Sequence, residues 1–372
     1  MPFSYWEKAH FINDIDLLII GSGIVGLTSA WYYKNLFPHH KVVVLERDFL
    51  PNGASTKNAG FACLGSPTEI LDDLSRRTEA EVLETLQMRW NGLKRLRSLV
   101  GDEEMEYQAC GGFELFRPSE ASVVSEVRDS VSDLNALFRE ATGERNAVTL
   151  ITGVPTPSFQ TQAALRLEGA LNPGRMIKEL LKKVRKAGID VWNGVSVASI
   201  NEAGAKVEVN SNRGMFQSDR VLICTNGFGN DLVGSIDLKP ARAQVLVAKT
   251  EKKHGWRGTF HLNEGYYYFR DLDEHRLLFG GGRQLNFKGE TTTLSETTNL
   301  IQNNLEKLLK VDLLNNSPFE IEARWAGIMG VGSAKQPIIK RSSDRVGIAL
   351  RMGGMGIAIG SEVGYEAARL WS

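Results

Sequence analysis

The stretch Asp16-Leu17-Leu18-Ile19-Ile20-Gly21-Ser22-Gly23-Ile24-Val25-Gly26, DLLIIGSGIVG, decides the fold. Its first five residues form a short apolar run, too short for a core helix and suited to a parallel strand buried on both faces. Glycines at 21, 23 and 26 then follow in the G-x-G-x-x-G spacing, and a helical stretch runs to about Leu36. Lys41-Val42-Val43-Val44-Leu45-Glu46 reads as the next strand, completing a strand–helix–strand unit. The three glycines play different physical roles. Gly21 allows the tight turn, Gly23 lets a pyrophosphate approach the backbone, and Gly26 lets helix and strand pack closely. Ser22, Ile24 and Val25 complete the turn and open the helix, whose unpaired N–H groups and partial positive charge face the phosphates. Glu46 ends the second strand, where a carboxylate accepts both ribose hydroxyls and repels a 2′-phosphate. The motif therefore expects NAD or FAD rather than NADP, and by itself does not choose between them.

The bulk properties narrow the class. A chain of 372 residues exceeds one small core, so two domains, or one large α/β domain with a second layer, are expected. Lys+Arg and Asp+Glu number 44 each, which removes any chain-wide electrostatic argument for nucleic acid or an anionic membrane as partner. The cysteines, Cys63, Cys110 and Cys224, fit no zinc spacing and are expected to be free thiols of a reducing compartment; no metal site is expected. The opening residues carry no apolar signal core, and the longest apolar run, Leu17 to Ile20, falls far short of a membrane span. The expectation is a cytoplasmic protein with no membrane span.

Along the chain the character switches. Residues 68–100 read as two amphipathic helices, 106–116 as strands turning at Gly111-Gly112, and 119–142 as helix. A basic amphipathic helix at 175–187 leads into a strand at 188–192. A hairpin is expected at 206–217, an apolar strand at 220–224, and antiparallel sheet through 241–283. A helix at 294–310, a strand at 346–350 and a helix at 356–371 follow. Segments 1–100, 165–235 and 340–372 thus suit a discontinuous dinucleotide domain, interrupted by 101–164 and 236–339 as a sheet-based substrate domain.

A second motif, Ser55-Thr56-Lys57-Asn58-Ala59-Gly60-Phe61, follows the first unit closely. The ordered set GSGIVG, VLERD, STKNAGF, LNPGRM, VLICTNGF, GYYYFR, LLFGGGR, RWAGIMG and MGGMGIA resembles the D-amino-acid-oxidase-type family of FAD-dependent oxidoreductases, which includes glycine oxidase, sarcosine oxidase and γ-glutamylputrescine oxidase. The resemblance spans about Asp14 to Leu370 and implies a Rossmann-like FAD-binding domain with a parallel sheet plus a mostly antiparallel substrate domain. It implies that Glu46 and Arg47 sit at the adenosine end and that Ser55 to Phe61 run along the pyrophosphate and flavin edge. It also implies that Val197 pairs with adenine, that Thr225, Asn226 and Gly227 turn near the cofactor, and that Gly327 lies beside it. Arg351, Gly353, Gly354, Met355, Gly356 and Ile357 would face the flavin N1/C2=O locus from a glycine turn and helix start. No His or Cys occurs in Trp325–Ile338, which favours a non-covalent FAD.

The substrate side is expected on Gly265-Tyr266-Tyr267-Tyr268-Phe269-Arg270, where period-two alternation puts Tyr266, Tyr268 and Arg270 on one face. The resemblance puts Tyr268 over the flavin, with Arg270 near enough to pair with a carboxylate. Amino-acid-oxidising relatives often place an arginine where this chain has Met329. That departure tilts the expectation toward an amine, or toward a carboxylate that is distant or held by Arg270 or Arg283. The absence of lysine between Glu264 and Phe287, where sarcosine oxidases keep one, leaves O2 or another electron acceptor open. The implied reaction is oxidation of the C–N bond of an amine or amino acid by hydride transfer to flavin N5. An NAD-linked dehydrogenase and a non-catalytic flavoprotein subunit remain the alternatives.

Overall fold

The computed structural model describes residues 3–153, 156 and 158–372. The run Ile15–Ile20 is a central strand of an eight-stranded sheet. It lies parallel to Val42–Glu46 on one side and to Gly214–Ile223 on the other, and the parallel set is extended by Asp190–Asn193 and Val346–Leu350. Ile338–Arg341 adds an antiparallel edge. Leu17, Ile19, Val42 and Val44 pack on the helices Ile24–Leu36, Glu79–Val100, Pro173–Lys186 and Gly356–Ala367. Leu18, Ile20, Val43 and Leu45 face the opposite way, into a core with Val195, Val207 and Phe216. Burial of both faces explains why the strand reads as a continuous apolar run.

A second eight-stranded sheet runs in the order 319–331, 239–250, 276–281, 267–273, 259–262, 112–116, 161–165, 148–152. Its pairings are antiparallel apart from Thr259–Leu262 with Gly112–Phe116. Leu246, Tyr267, Phe269, Leu277 and Phe279 pack against the helix Asn299–Leu308. Val245, Val247, Tyr268 and Leu278 face the other way and meet Ala59 and Phe61. The expected class, an α/β chain with a parallel sheet and a mostly antiparallel one, is what the fold has.

Four local expectations change. The segment 106–111 is not a strand: Glu106 and Gly111 adopt φ of 53° and 74°, and only Gln108 bridges, to Ala170. The hairpin arm at 214–217 and the strand at 220–224 are one strand, Gly214–Ile223, antiparallel to Lys206–Ser211 in its first half and parallel to Ile15–Ile20 in its second. The helix foreseen over 294–310 is Asn299–Leu308 followed by a π-turn at Leu309–Leu313. The hydroxyl-rich residues before it take local bonds instead, Thr292 accepting from Leu294 N–H, while Thr298 N–H donates to Gln244. A helical turn at Tyr5–Glu7, missed in the sequence, is closed by a Ser4/Glu7 capping box.

Candidate active site

One cavity of about 730 Å³ is lined by residues from both sheets, a size suited to a ligand. At one end it is bounded by Gly21, Ser22, Gly23, Ile24, Val25, Glu46, Arg47 and Val197, and at the other by Phe61, Tyr268, His261 and Met355. Ser55, Lys57, Asn58, Ala59, Thr225, Asn226, Gly327, Gly353, Gly354, Gly356 and Ile357 also line it.

The glycine turn is built by close approach. A Cβ on Gly26 would stand 1.9 Å from the Gly21 carbonyl oxygen, so the helix enters tight against the strand. Ser55 Oγ accepts from Ile24 N–H at 3.0 Å, capping the helix from a separate loop, since Gly23 has no side chain to do it. Glu46 accepts from Ser22 N–H at 3.2 Å and from the Ser22 hydroxyl, and its second oxygen accepts from Asp48 N–H at 3.1 Å. Arg47 lies over the Phe228 ring at 4.5 Å.

Other expected site residues serve the walls rather than the space. Asn58 lines the cavity, but its amide donates to the Ala54 and Ser55 carbonyls and its oxygen accepts from Gly60 N–H. Thr56 donates to the Pro51 carbonyl at 2.9 Å. Gly60 packs on the Leu171 carbonyl, and Gly227 on that of Met329. Arg351 pairs with Asp237 at 2.6 Å and donates to the Gln336 carbonyl. None of Thr56, Gly60, Gly227, Gly26 or Arg351 lines the cavity.

Arg270 requires a correction. It shares the Tyr268 face, as alternation requires, yet it is buried and its guanidinium is spent on backbone carbonyls, Leu171 at 2.8 Å, Gly60 at 3.4 Å and Asp271 at 3.1 Å. It does not line the cavity, so it ties the second motif to the sheet instead of meeting a carboxylate there.

Tyr268 stands opposite His261 in the strand register and meets Phe61 edge-on, ring centroids 5.6 Å apart. Burial pushes the Tyr268 phenol up to about 12, so it stays protonated at neutral pH. Burial pulls the His261 imidazole down, but Glu168, with Glu114 and Glu69 behind it, outweighs burial and holds it above its ordinary value. Its Nε2 lies 3.5 Å from Glu168 Oε2. Cys63, Glu168 and His261 bring three potential ligand atoms within 4.8 Å of one another, with no ion present; burial raises the Cys63 thiol far above its usual value. Glu69, also lining the cavity, is raised by burial but lowered more by Arg89 and Lys335, to about 2. This wall was not foreseen. Cys63, Glu69, His261 and Lys335 line the cavity with Glu168 behind them; they share no local pattern, and His261 meets Tyr268 only through the antiparallel pairing of two strands.

The cavity fits a long dinucleotide. Its Glu46 end offers a carboxylate, its middle offers helix-start and glycine-turn N–H groups, with Gly353 and Gly354 at φ of 59° and 88°, and the Thr225 hydroxyl there is buried without a partner among the described residues. Comparison with known proteins agrees. Residues 16–370 match the family described as FAD dependent oxidoreductase. The chain is 22% identical to a D-amino acid dehydrogenase of Neisseria gonorrhoeae, covering 88% of each protein. It is 24% identical to a probable oxidoreductase, OrdL, of Rhizobium meliloti, a match covering 54% of this chain and 47% of that protein, so the chain spans about half of that relative. Glycine oxidase from Bacillus cereus has the same fold, with a TM-score of 0.73 at 18% identity over 96% of this chain and 94% of that one. The NAD-linked alternative has no support in these matches. A match running from the first parallel strand to the final helix makes the chain a member of the FAD-dependent oxidoreductase family, an enzyme that works with FAD.

Proposed function

We propose that the protein oxidises the carbon–nitrogen bond of an amine or amino acid to an imine, which water then hydrolyses to a carbonyl compound. The observation that carries this reading is the aromatic wall of Tyr268 and Phe61, set in the same cavity as the Gly21–Gly26 turn. Bound FAD supplies a two-electron acceptor for the hydride leaving the carbon beside the nitrogen. The residues that hold it, on this reading, are the Gly21–Gly26 turn, Glu46, Arg47, Ser55, Lys57 to Ala59, Val197, Thr225, Asn226, Gly327 and the Gly353–Ile357 turn. Thr56, Gly60 and Arg351 brace those loops from behind. Segments 1–100, 165–235 and 340–372 serve the cofactor and 101–164 and 236–339 the substrate, a division supported by the membership of the two sheets.

The side chains have little covalent work. Tyr268, protonated and half-buried, offers one hydroxyl donor and an apolar face, while Phe61 and Met355 exclude water from the reacting carbon. The free thiols support a cytoplasmic location, and no helix among the described residues is long and apolar enough to cross a membrane. Electrons pass on to O2 or another acceptor, and peroxide yield measured against dye reduction separates the two.

The direct test is anaerobic bleaching of the yellow protein by a panel of amines and D- and L-amino acids. Loss of the flavin absorbance with at least one of them, and a carbonyl product, is the expected outcome; protein that stays oxidised with the whole panel removes the reading.

A further inference from the structure

Three buried side chains at the cavity wall have no part in the amine-oxidation reading. Cys63, Glu168 and His261 come from distant parts of the chain, yet their sulfur, carboxylate oxygen and ring nitrogen lie within 4.8 Å of one another. Each is more than nine-tenths buried. His261 Nε2 and Glu168 Oε2 are 3.5 Å apart, beyond the usual N–H···O range, and neither atom has a hydrogen-bond partner among the described residues. The Cys63 thiol has the Met355 thioether as its neighbour, at 3.8 Å.

Two polar atoms buried side by side without partners are costly in a folded protein, and the surroundings hold them there. Glu168 Oε1 accepts from Leu64 N–H at 2.9 Å and from Gly65 N–H at 3.2 Å. Those bonds fix the carboxylate and leave Oε2, the oxygen nearer His261, unspent. Gly112 makes room for it, because a Cβ there would collide with Oε2. Phe61 pairs with Ala170 and Ala62 with Gly169, a register that, continued one step, sets Cys63 opposite Glu168. His261 sits in the strand Thr259–Leu262, its ring edge-on to Phe61 with centroids 5.4 Å apart. Among the described residues the nearby cations are committed elsewhere. Arg89 donates to the Leu64 carbonyl at 2.6 Å and pairs with Glu69 at 3.2 Å, and Lys335 pairs with Asp73 at 2.7 Å and Glu69 at 3.3 Å. Glu114, opposite His261 in the register, accepts from Ser66 and Thr68.

The geometry points to a binding site for one zinc-class divalent cation, held by Cys63 Sγ, Glu168 Oε2 and His261 Nε2. The donor set decides the class. A sulfur, an imidazole nitrogen and a carboxylate oxygen suit zinc, whereas magnesium and calcium take oxygen throughout. Binding releases the thiol proton to solvent and sets a thiolate and a carboxylate against two positive charges, so the buried charges cancel. The Leu64 and Gly65 amides supply the orienting contacts that a ligating carboxylate needs. Cys63 and His261 line the cavity with Glu168 behind them, so the fourth position opens on the cavity, where water or a ligand lone pair completes the tetrahedron. Residue spacing carries no sign of such a site, because its ligands meet only through sheet pairing.

The test is zinc uptake by the FAD-loaded protein, measured as metal content after equilibrium dialysis against buffered Zn2+. Wild type is expected to take up a single zinc and to keep it in about a thousandfold excess of Mg2+ or Ca2+. Cys63→Ser and His261→Gln should each weaken uptake about 100-fold and Glu168→Gln about 10-fold, while Cys110→Ser leaves it unchanged. A second measurement needs no variant: Co2+ in wild type should develop the long-wavelength visible bands of a tetrahedral cobalt–thiolate centre, outside the flavin absorbance. Flavin content and melting are followed on each variant, and should one fail to fold, the cobalt spectrum decides. Wild type that takes up no zinc, zinc retained after Cys63→Ser, uptake lost equally in Cys110→Ser, or cobalt without those bands overturns the proposal.

Discussion

Gly23 and Ser55 show how single residues build the cofactor end. An added Cβ on Gly23 would stand 2.8 Å from Ser55 Oγ, the atom that caps the helix at Ile24. Gly23→Val should therefore remove a cap, a loss of about 1 kcal/mol, and fill the floor proposed for the pyrophosphate. The expected product is flavin-free protein; yellow protein at normal yield would place the first turn elsewhere. Tyr268→Phe should slow anaerobic flavin reduction while leaving flavin content unchanged, and an unaltered reduction rate would take the hydroxyl out of the reaction. Glu69 gives a pH prediction. Because its folded value, about 2, lies below the ordinary carboxyl value of 4.5, it adds stability above about pH 4.5 that is lost as pH falls toward 2. Thermal melting of Glu69→Gln should accordingly fall less steeply than wild type between about pH 5 and pH 2. The close packing of the glycine turn was legible because its partners are local. The fate of Arg270 was not, because its carbonyl partners lie at Gly60 and Leu171, far off in sequence.

At the scale of elements, the helix Gly356–Ala367 is nearly buried all round and wedges between Ile24–Leu36 and Glu79–Val100. Small residues make this approach possible: a Cβ on Gly92 would meet the Ala358 carbonyl at 2.2 Å, and one on Gly364 would meet Thr28 Oγ1 at 2.0 Å. Gly92→Ala should push two helix backbones apart and cost about 1–3 kcal/mol, read as a lower melting temperature with flavin release following it. An unchanged melting curve would mean that the packing yields easily. Long periodic elements were readable: both strands of the first unit and the paired helices of 68–100 emerged close to their observed bounds, and the region 241–283 is antiparallel sheet as read, though its separate strands were not marked out. The failures fall where tertiary partners override local pattern. Residues 106–111 have strand-like composition but turn through positive φ, and Gly214–Ile223 changes partners halfway along one continuous strand.

For the whole molecule, the cavity is the common wall of two sheets. FAD bound there touches both, so saturating cofactor should raise the melting temperature as mass action requires, by about 2.7 kcal/mol of stability at a hundredfold excess over Kd. Circular dichroism and flavin fluorescence should then change in a single step. Two separated transitions would show that one sheet survives without the other. The sequence motifs foretold the class of fold, because the order of apolar runs and glycine turns along the chain reports topology. They could not foretell the Glu69, His261 and Lys335 wall, whose geometry exists only after distant segments meet.

Gly214–Ile223 lies between Ile15–Ile20 and Val346–Leu350, and the helix beyond that last strand packs on the helix that follows the glycine turn. A nascent polypeptide on the ribosome therefore exposes its dinucleotide signature early and owns no usable cradle until the codons near residue 367 have been translated. Coenzyme capture therefore has to wait until that strand and helix have joined the sheet.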